Sequence, residues 1–399
     1  MDRLSGVFKK DSGFRVFFMS VITFGLAYGL YKGIIDNYLA EVVSMTSFDK
    51  GVSEFFRELP GLLLVFILAA LYTLSAERIY KIGALFMLAG MLMQAMVPPT
   101  RVMVIAAIFI YSLGDHIQLG MRNTLSLEYA KEGRGGAALG MQNAVHQIGT
   151  LAGYLIIIAV FACLGGTVKL YRSVFTASAA IIALGFFSSL KLKGNSETDQ
   201  TKRRFYFRKK YTKYYMLEVF YGARKQIFFT FGPYVLVLFY KANAMTVSIL
   251  FAVSSVCTFF AAPLVGRIID RFGYKIVMIM DTLILVIVCF FYGFAHHIFP
   301  MRIAFIVCCV NYILDSVISL ASMASNVYVQ DLSDSRDETR ATISTGMSVN
   351  HLITILIALF GGWIWQKLGI ETLFALSAIL GLCNSAYAAT IRVQKNRSA

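Results

Sequence analysis

Charge is what this chain has least of: 15% of its 399 residues are charged, against 58% hydrophobic. That balance excludes an ordinary soluble domain, whose core could not hide so much apolar surface, and makes lipid the solvent for most of the chain. Proline is scarce as well, with six residues, so long helices can run with few breaks. The six cysteines, Cys163, Cys257, Cys289, Cys308, Cys309 and Cys383, form no C-x-x-C pattern and lie inside or at the ends of apolar stretches. They are expected as small buried hydrophobes, not as disulfides or zinc ligands. Also missing are an H-E-x-x-H motif, a nucleophile beside its base, a paired acidic metal site and a phosphate-binding Gly-rich loop. Their absence speaks against an intramembrane enzyme or an ATP-driven pump. No cofactor or metal is expected, and energy for any work would come from gradients. No short apolar segment with a small-residue cleavage site precedes the first apolar stretch, so no removable leader is expected.

What is present is apolar sequence cut to bilayer length. Windows of about 19 residues give twelve candidate spans at 15–41, 53–76, 81–98, 101–129, 138–165, 171–190, 214–239, 245–265, 275–294, 302–329, 341–366 and 371–391. Each is near the roughly 20 residues that a crossing requires. Pro60 and Gly153 stand where helices are expected to kink. The formal charge of +15 collects in the short connections and not on one face, so it reads as a topology signal and no nucleic-acid partner is expected. Residues 191–213 hold nine Lys or Arg against Glu197 and Asp199, which marks that connection as cytoplasmic by the positive-inside rule. Lys9, Lys10 and Arg15 before the first span, with Arg392 and Lys395 after the last, put both termini on the same side. The basic and aromatic run Arg203–Lys210 could also dock on anionic lipid headgroups. The expected organisation is an N-terminal six-helix bundle at 1–190, a basic cytoplasmic linker at 191–213 and a C-terminal six-helix bundle at 214–399.

The two halves echo each other. Tyr28-Gly29-Leu30-Tyr31-Lys32 and Tyr221-Gly222-Ala223-Arg224-Lys225 repeat one pattern 193 residues apart. Asp115 is answered by Asp315, and Gly140-Met141-Gln142-Asn143 by Gly346-Met347-Ser348-Val349. Such internal repetition is the sequence mark of a membrane bundle built from related halves. Polar residues fall unevenly: the third and sixth spans hold almost none. The first, fourth, fifth, seventh, tenth and eleventh hold Lys32, Asp36, Asp115, His116, Gln118, Arg122, Asn143, His146, Gln147, Arg224, Lys225, Asn311, Asp315, Asn350 and His351. Those helices are expected to line a cavity. Asp281 in the ninth span breaks the pattern and is expected near an end or in a local pair.

Six-plus-six spans, a basic central loop and polar first, fourth, seventh and tenth helices together resemble the major facilitator superfamily of transporters. Gly266-Arg267-Ile268-Ile269-Asp270-Arg271-Phe272-Gly273-Tyr274-Lys275 matches that superfamily's loop motif, G-x-x-x-D-R-x-G-x-K. Its first-half copy departs from the pattern, with Glu77-Arg78 in place of Asp-Arg and with Thr73 and Tyr80 in place of the glycines. Arg134-Gly135-Gly136-Ala137-Ala138-Leu139-Gly140, leading to Gly149 and Gly153, is similar to the start of the superfamily's fifth helix; small residues there let helices approach closely. The resemblance covers essentially the whole chain. It implies an all-α polytopic membrane protein with twelve transmembrane helices in two pseudo-symmetric six-helix bundles. It also implies a cytoplasmic gating latch at Asp270 and Arg271, with Arg336, Asp337, Glu338 and Arg340 either its neighbours or solvated loop charges. It does not name a substrate.

Candidate roles follow from spacing and cost. Tyr28, Lys32 and Asp36 lie four apart, on one face of a helix, and Tyr221 with Lys225 does the same. Asp115, Gln118 and Arg122 form a stripe in the fourth span; Asn311, Asp315, Ser319 and Ser322 form one in the tenth. Each charge left facing lipid at mid-membrane would cost about 3 kcal/mol, so partners or water are required. Substrate binding, of a carboxylate or phosphate, is assigned to Tyr28, Lys32, Arg122, Tyr221, Arg224, Lys225 and Asn311, where arginine offers a bidentate fork. Proton coupling is assigned to Asp36, Asp115, Asp315, His146 and His351. The structural alternative is a set of static bridges, Lys32 with Asp36 and Arg122 with Asp115, and hydrogen-bonded histidines. Tyr234 is a further pocket candidate. Glu54, Arg57 and Glu58 form either an outer gate or a solvated helix end. His296-His297 falls in an expected outer loop. A metal could sit there, but no carboxylate or cysteine is near in sequence, so none is expected.

The leading expectation is a secondary active transporter of a small anionic organic solute, coupled to protons and working by alternating access. It is expected as a monomer in the lipid bilayer of a bacterial inner membrane. Efflux or flipping of amphipathic, lipid-like molecules is the second reading, and a non-transporting receptor or scaffold the third.

Overall fold

The computed structural model describes residues 6–9, 13–71, 73–192 and 207–391. Most of the 191–213 connection, Lys10, Arg392 and Lys395 therefore lie outside the described residues. Among the described residues, twelve α-helices follow in chain order. They are α1 (Phe14–Asn37), α2 (Ser47–Ala70), α3 (Ala76–Met96), α4 (Arg101–Tyr129), α5 (Gly135–Leu164), α6 (Val168–Ser189), α7 (Thr212–Leu238), α8 (Ala244–Phe272), α9 (Tyr274–Ile298), α10 (Met301–Ile318), α11 (Met323–Leu332) and α12 (Arg336–Ala389). A π-helical turn, Tyr38–Val42, prolongs α1, and a 3-10 turn, Ser319–Ser322, joins α10 to α11. Another 3-10 turn, Lys209–Tyr211, leads into α7.

Nine segments among the described residues are long and apolar enough to cross a bilayer. The last, Ala341–Ala389, has 49 residues, about twice the length of one crossing. It breaks at Gly369, whose φ of 92° is open to glycine and strained for other residues, so it supplies two crossings. α10 and α11 together make one, Met301–Leu332. The remaining two expected spans are α2 and α7, of 24 and 27 residues, whose apolar runs are interrupted by charge: Asp49, Lys50, Glu54, Arg57 and Glu58 in one, Lys213, Glu218, Arg224 and Lys225 in the other. Twelve crossings result among the described residues.

The chain divides into two compact units. Unit 1 comprises Met1–Ser44, Phe56–Gln200 and Asn243–Ala252; unit 2 comprises Met45–Phe55, Thr201–Ala242 and Val253–Ala399. In unit 1, α1 packs on α5 and α6, and α3 on α4 and α6. The α1–α5 crossing is made by glycine. A methyl group added at Gly25 would strike the carbonyl of His146, one at Gly29 that of Thr150, and one at Gly153 would come within 2.7 Å of the Leu26 carbonyl. The two backbones are in contact, as the small residues of α5 lead one to expect. In unit 2, α7 packs on α12, and α9 on α10 and α12. There Gly222 meets side chains instead, Asn350 Nδ2 at 2.8 Å and Ile353 Cγ2 at 2.9 Å.

The repeat survives in the ends of the units. Lys81 near the start of α3 donates to the Leu192 carbonyl beyond α6 at 2.8 Å, and Lys275 at the start of α9 donates to the Ile391 carbonyl beyond α12 at 2.9 Å. Each lysine satisfies one carbonyl just beyond a helix C-terminus, where positive charge is favoured. In the loop motif, Gly273 takes φ 82°, which explains a glycine between α8 and α9.

Candidate functional site

In unit 1 the stripe on α1 forms as its spacing requires. Lys32 Nζ lies 3.3 Å from Asp36 Oδ2, one turn along the same helix, with 14% and 1% of their side chains exposed. The ammonium also sits 5.2 Å from the centre of the Phe251 ring, a cation–π distance. One turn earlier, the Tyr28 ring is 6.0 Å from that of His146 on α5. Arg122, half-buried on α4, is within electrostatic reach of Tyr28 and Asp115, and His146 is within reach of Arg122. The Arg122 Nε is buried with no hydrogen-bond partner among the described residues. Asp115 and Arg122 are seven residues apart, about 10 Å along a helix axis, and they make no salt bridge among the described residues. Of the two static bridges considered, the structure therefore forms Lys32–Asp36 and not Arg122–Asp115. Also on α1, Tyr31 packs on Tyr111 at 4.6 Å and Phe175 at 6.4 Å.

In unit 2 the α7 stripe is wired across helices. Arg224 Nη2 donates to Asp281 Oδ2 on α9 at 2.6 Å, with side-chain exposures of 2% and 7%. Its guanidinium stands 4.8 Å from the Tyr221 ring centre, and the Tyr221 hydroxyl donates to the Ser319 carbonyl at 2.7 Å. That carbonyl opens the 3-10 turn, where helical hydrogen bonding is disturbed. Glu218, one turn before Tyr221, accepts from Ser325 Oγ at 3.0 Å and from Asn350 Nδ2 at 3.3 Å. Asp315, buried on α10, is within electrostatic reach of Arg224 and Lys225, and Lys225 also reaches Glu218. Lys225 itself is exposed, 6.0 Å from the Tyr221 ring centre, and makes no salt bridge among the described residues. Asn311, also buried, donates to the Val307 carbonyl of its own helix at 2.8 Å, and His351 is half-buried on α12.

Several expectations change. Asp281 is neither terminal nor locally paired: it lies two turns into α9 and neutralises an arginine 57 residues away. Glu54 and Glu58 are buried, 4% and 7% exposed, so they are not a solvated helix end. Glu54 accepts from Lys50 at 2.7 Å, and Glu58 pairs with Arg57. Tyr234 is fully buried, its hydroxyl donating to the Met45 carbonyl at 2.7 Å. Glu338 is not a solvated charge, because it is buried and pairs with Lys210 and Arg208; the side chains of Arg336, Asp337 and Arg340 lie outside the described residues. Asp270 and Arg271 are exposed at the end of α8, with Arg271 5.4 Å from the Phe272 ring centre. Sequence reasoning missed Lys50, Glu218 and Asp281 as members of the buried ionic network. The signal for Glu218 was present, since Glu218, Tyr221 and Lys225 follow the three-then-four spacing of one helix face.

Twelve crossings in two repeated sets, with ionic side chains buried inside each set, define a polytopic helical membrane protein. Residues 214–398 match the model of the Major Facilitator Superfamily. Solved structures agree over nearly the whole chain. The nucleoside transporter NupG aligns with a TM-score of 0.75 and 16% identity, covering 96% of this chain and 100% of that one. A D-xylose-proton symporter gives 0.72 and 13%, covering 94% and 96%, and a POT family transporter in complex with 5-aminolevulinic acid gives 0.71 and 10%, covering 94% of each. No curated protein sequence matches it significantly. The family match is confined to residues 214–398, and over the rest of the chain the likeness to these transporters is one of fold.

Proposed function

We propose that the protein is a secondary active transporter that moves a small organic anion together with protons by alternating access, and is not an enzyme. The observation that carries this reading is Lys225: an exposed ammonium beside an arginine already neutralised by Asp281, facing two further carboxyl groups. With every group ionised, the α7 cluster holds two cations, Arg224 and Lys225, and three carboxylates, Glu218, Asp281 and Asp315, a net charge of about −1. Protonation of Glu218 and Asp315 turns that into about +1, so proton uptake creates the field that attracts an anion. Anion and proton then bind together, which is symport. Lys32, Arg122, Tyr28 and Asn311 complete the substrate-facing set in this reading, with Asp36, Asp115, His146 and His351 as further proton carriers. Asp270 and Arg271 act as the cytoplasmic latch. A monomer in a bacterial inner membrane, with both termini and the 191–213 linker in the cytoplasm and bundles at 1–190 and 214–399, completes the proposal.

Uptake into proteoliposomes tests it, using a panel of carboxylates, phosphate esters, neutral sugars and nucleosides, and lipophilic drugs. Acid outside should accelerate uptake of an anion, and Lys225→Ala should reduce it about tenfold or more, since a charge-assisted hydrogen bond contributes about 1.5–3 kcal/mol. Unchanged transport in Lys225→Ala removes the binding assignment. Stimulation by sodium and not by acid removes proton coupling, and transport confined to lipophilic solutes favours the efflux reading.

A further inference from the structure

We propose that His296, His297 and Glu371 form a binding site for a divalent transition-metal ion of the zinc class, separate from the α7 cluster. The two histidines occupy the last turn of α9, fifteen and sixteen residues beyond Asp281, which is about 22 Å along a helix axis. The carboxylate comes from another part of the chain, just past the Gly369 bend in α12. Glu371 Oε1 is 3.1 Å from His296 Nε2 and 2.7 Å from His297 Nε2, and all three candidate ligand atoms lie within 4.8 Å of one another.

Those separations suit one ion. Zinc held about 2.0–2.1 Å from each ligand in a tetrahedron sets neighbouring ligand atoms roughly 3.3 Å apart, so the two nitrogen–oxygen separations, 3.1 and 2.7 Å, need only lengthen slightly to admit it. Two imidazoles and one carboxylate are a zinc-type donor set, with a water for the fourth position; calcium or magnesium would require more oxygen. The surroundings hold the ligands in place. The imidazole rings of His296 and His297 lie 4.0 Å apart, and the first is set edge-on to Phe239 at 5.0 Å. Gly369 leaves room for Glu371, whose Oε2 lies 2.5 Å from where a Cβ of residue 369 would stand. His297 is the open side of the site, with 58% of its side chain exposed, so an ion can enter from solvent. Without metal, Glu371 is simply a shared acceptor for two imidazole N–H groups. Binding requires only that each ring carry its proton on Nδ1.

The test uses the full chain in detergent without a polyhistidine tag. Zinc titrated calorimetrically should bind at one ion per chain and raise the melting temperature, and His297→Ala and Glu371→Gln should each weaken binding at least about tenfold. Cobalt(II) should give the intense visible bands of four-coordinate nitrogen and oxygen ligation. Absence of saturable zinc binding in the micromolar range, or variants that bind as tightly as the wild type, overturns the site. If neither variant folds, the cobalt spectrum of the wild type decides: four-coordinate bands support the site, and the weak spectrum of hydrated cobalt refutes it.

Discussion

Lys32 of α1 and Lys225 of α7 hold the same place in the repeated Tyr-Gly-x-x-Lys pattern, yet they are treated differently. Lys32 reaches one turn along its own helix to Asp36, while Lys225 is exposed and makes no salt bridge among the described residues. One residue earlier the contrast sharpens. Tyr31 is packed among Tyr111 and Phe175; its counterpart Arg224 is bonded to Asp281 on a neighbouring helix. Unit 1 anchors its first helix through aromatic packing and a glycine crossing, and its lysine closes a pair within that helix. Unit 2 anchors α7 through an ion pair between helices, which takes up the arginine and leaves the next cation exposed, with no salt bridge among the described residues. The scaffold contacts meanwhile stay alike, as Lys81 and Lys275 show. Repetition preserved the frame, and divergence rewired the charges.

The largest effect that would test this contrast lies at the glycines. Gly29→Ala drives a methyl group into the Thr150 carbonyl, a backbone atom that cannot swing aside, whereas Gly222→Ala meets the ends of Asn350 and Ile353. The first should exceed the about 1–3 kcal/mol of ordinary overpacking and abolish the monodisperse folded fraction; the second should stay within that range. Thermal unfolding and size-exclusion profiles in detergent would compare them. Equal losses would mean that the two first helices are anchored in the same way.

The ion pairs come next. Asp281→Asn strands a buried guanidinium and should cost about 3–5 kcal/mol, and replacing both Arg224 and Asp281 by leucine should recover most of that stability. Asp36→Asn should cost less, about 1.5–3 kcal/mol, because Lys32 is partly exposed and retains the Phe251 ring. A larger loss from Asp36→Asn than from Asp281→Asn, read from the same unfolding curves, would reverse the ranking of intrahelical and interhelical wiring.

Much of the frame was legible because lipid forces it. Apolar runs of bilayer length have one stable form, so ten of the twelve crossings follow from hydropathy, and the two charged helices follow from length and the repeat. The Lys32–Asp36 pair was legible for a local reason: a spacing of four puts both groups on one helix face. Asp281 was not, because its partner lies in a different helix and only tertiary packing decides which two helices meet. The burial of Glu54 and Glu58 was hidden in the same way. Their spacing fits a solvated end as well as a buried one, and Lys50 completes a pair that the eye reads as ordinary surface charge. His296-His297 waited on Glu371, which the chain delivers 74 residues later.

The smallest effect concerns an ammonium that the protein keeps in water, the counterpart to the cations inside the bundle. Lys210, in the 3-10 turn before α7, donates to Glu338 at 2.7 Å and Asp334 at 2.9 Å. Those two hydrogen bonds, Glu338 first, raise its pKa above the ordinary 10.5. A raised lysine pKa contributes stability that is complete below the unfolded value and disappears only as pH climbs through the folded one. Between pH 6 and 9 the contribution should therefore be flat. Salt acts instead, because an ammonium this open to solvent is screened. Lys210→Ala should cost at most about 1 kcal/mol at low ionic strength and less in concentrated salt, with thermal unfolding as the measure. A loss as large as that of Asp281→Asn would show that position in water or bundle does not set the strength of a charge pair in this protein.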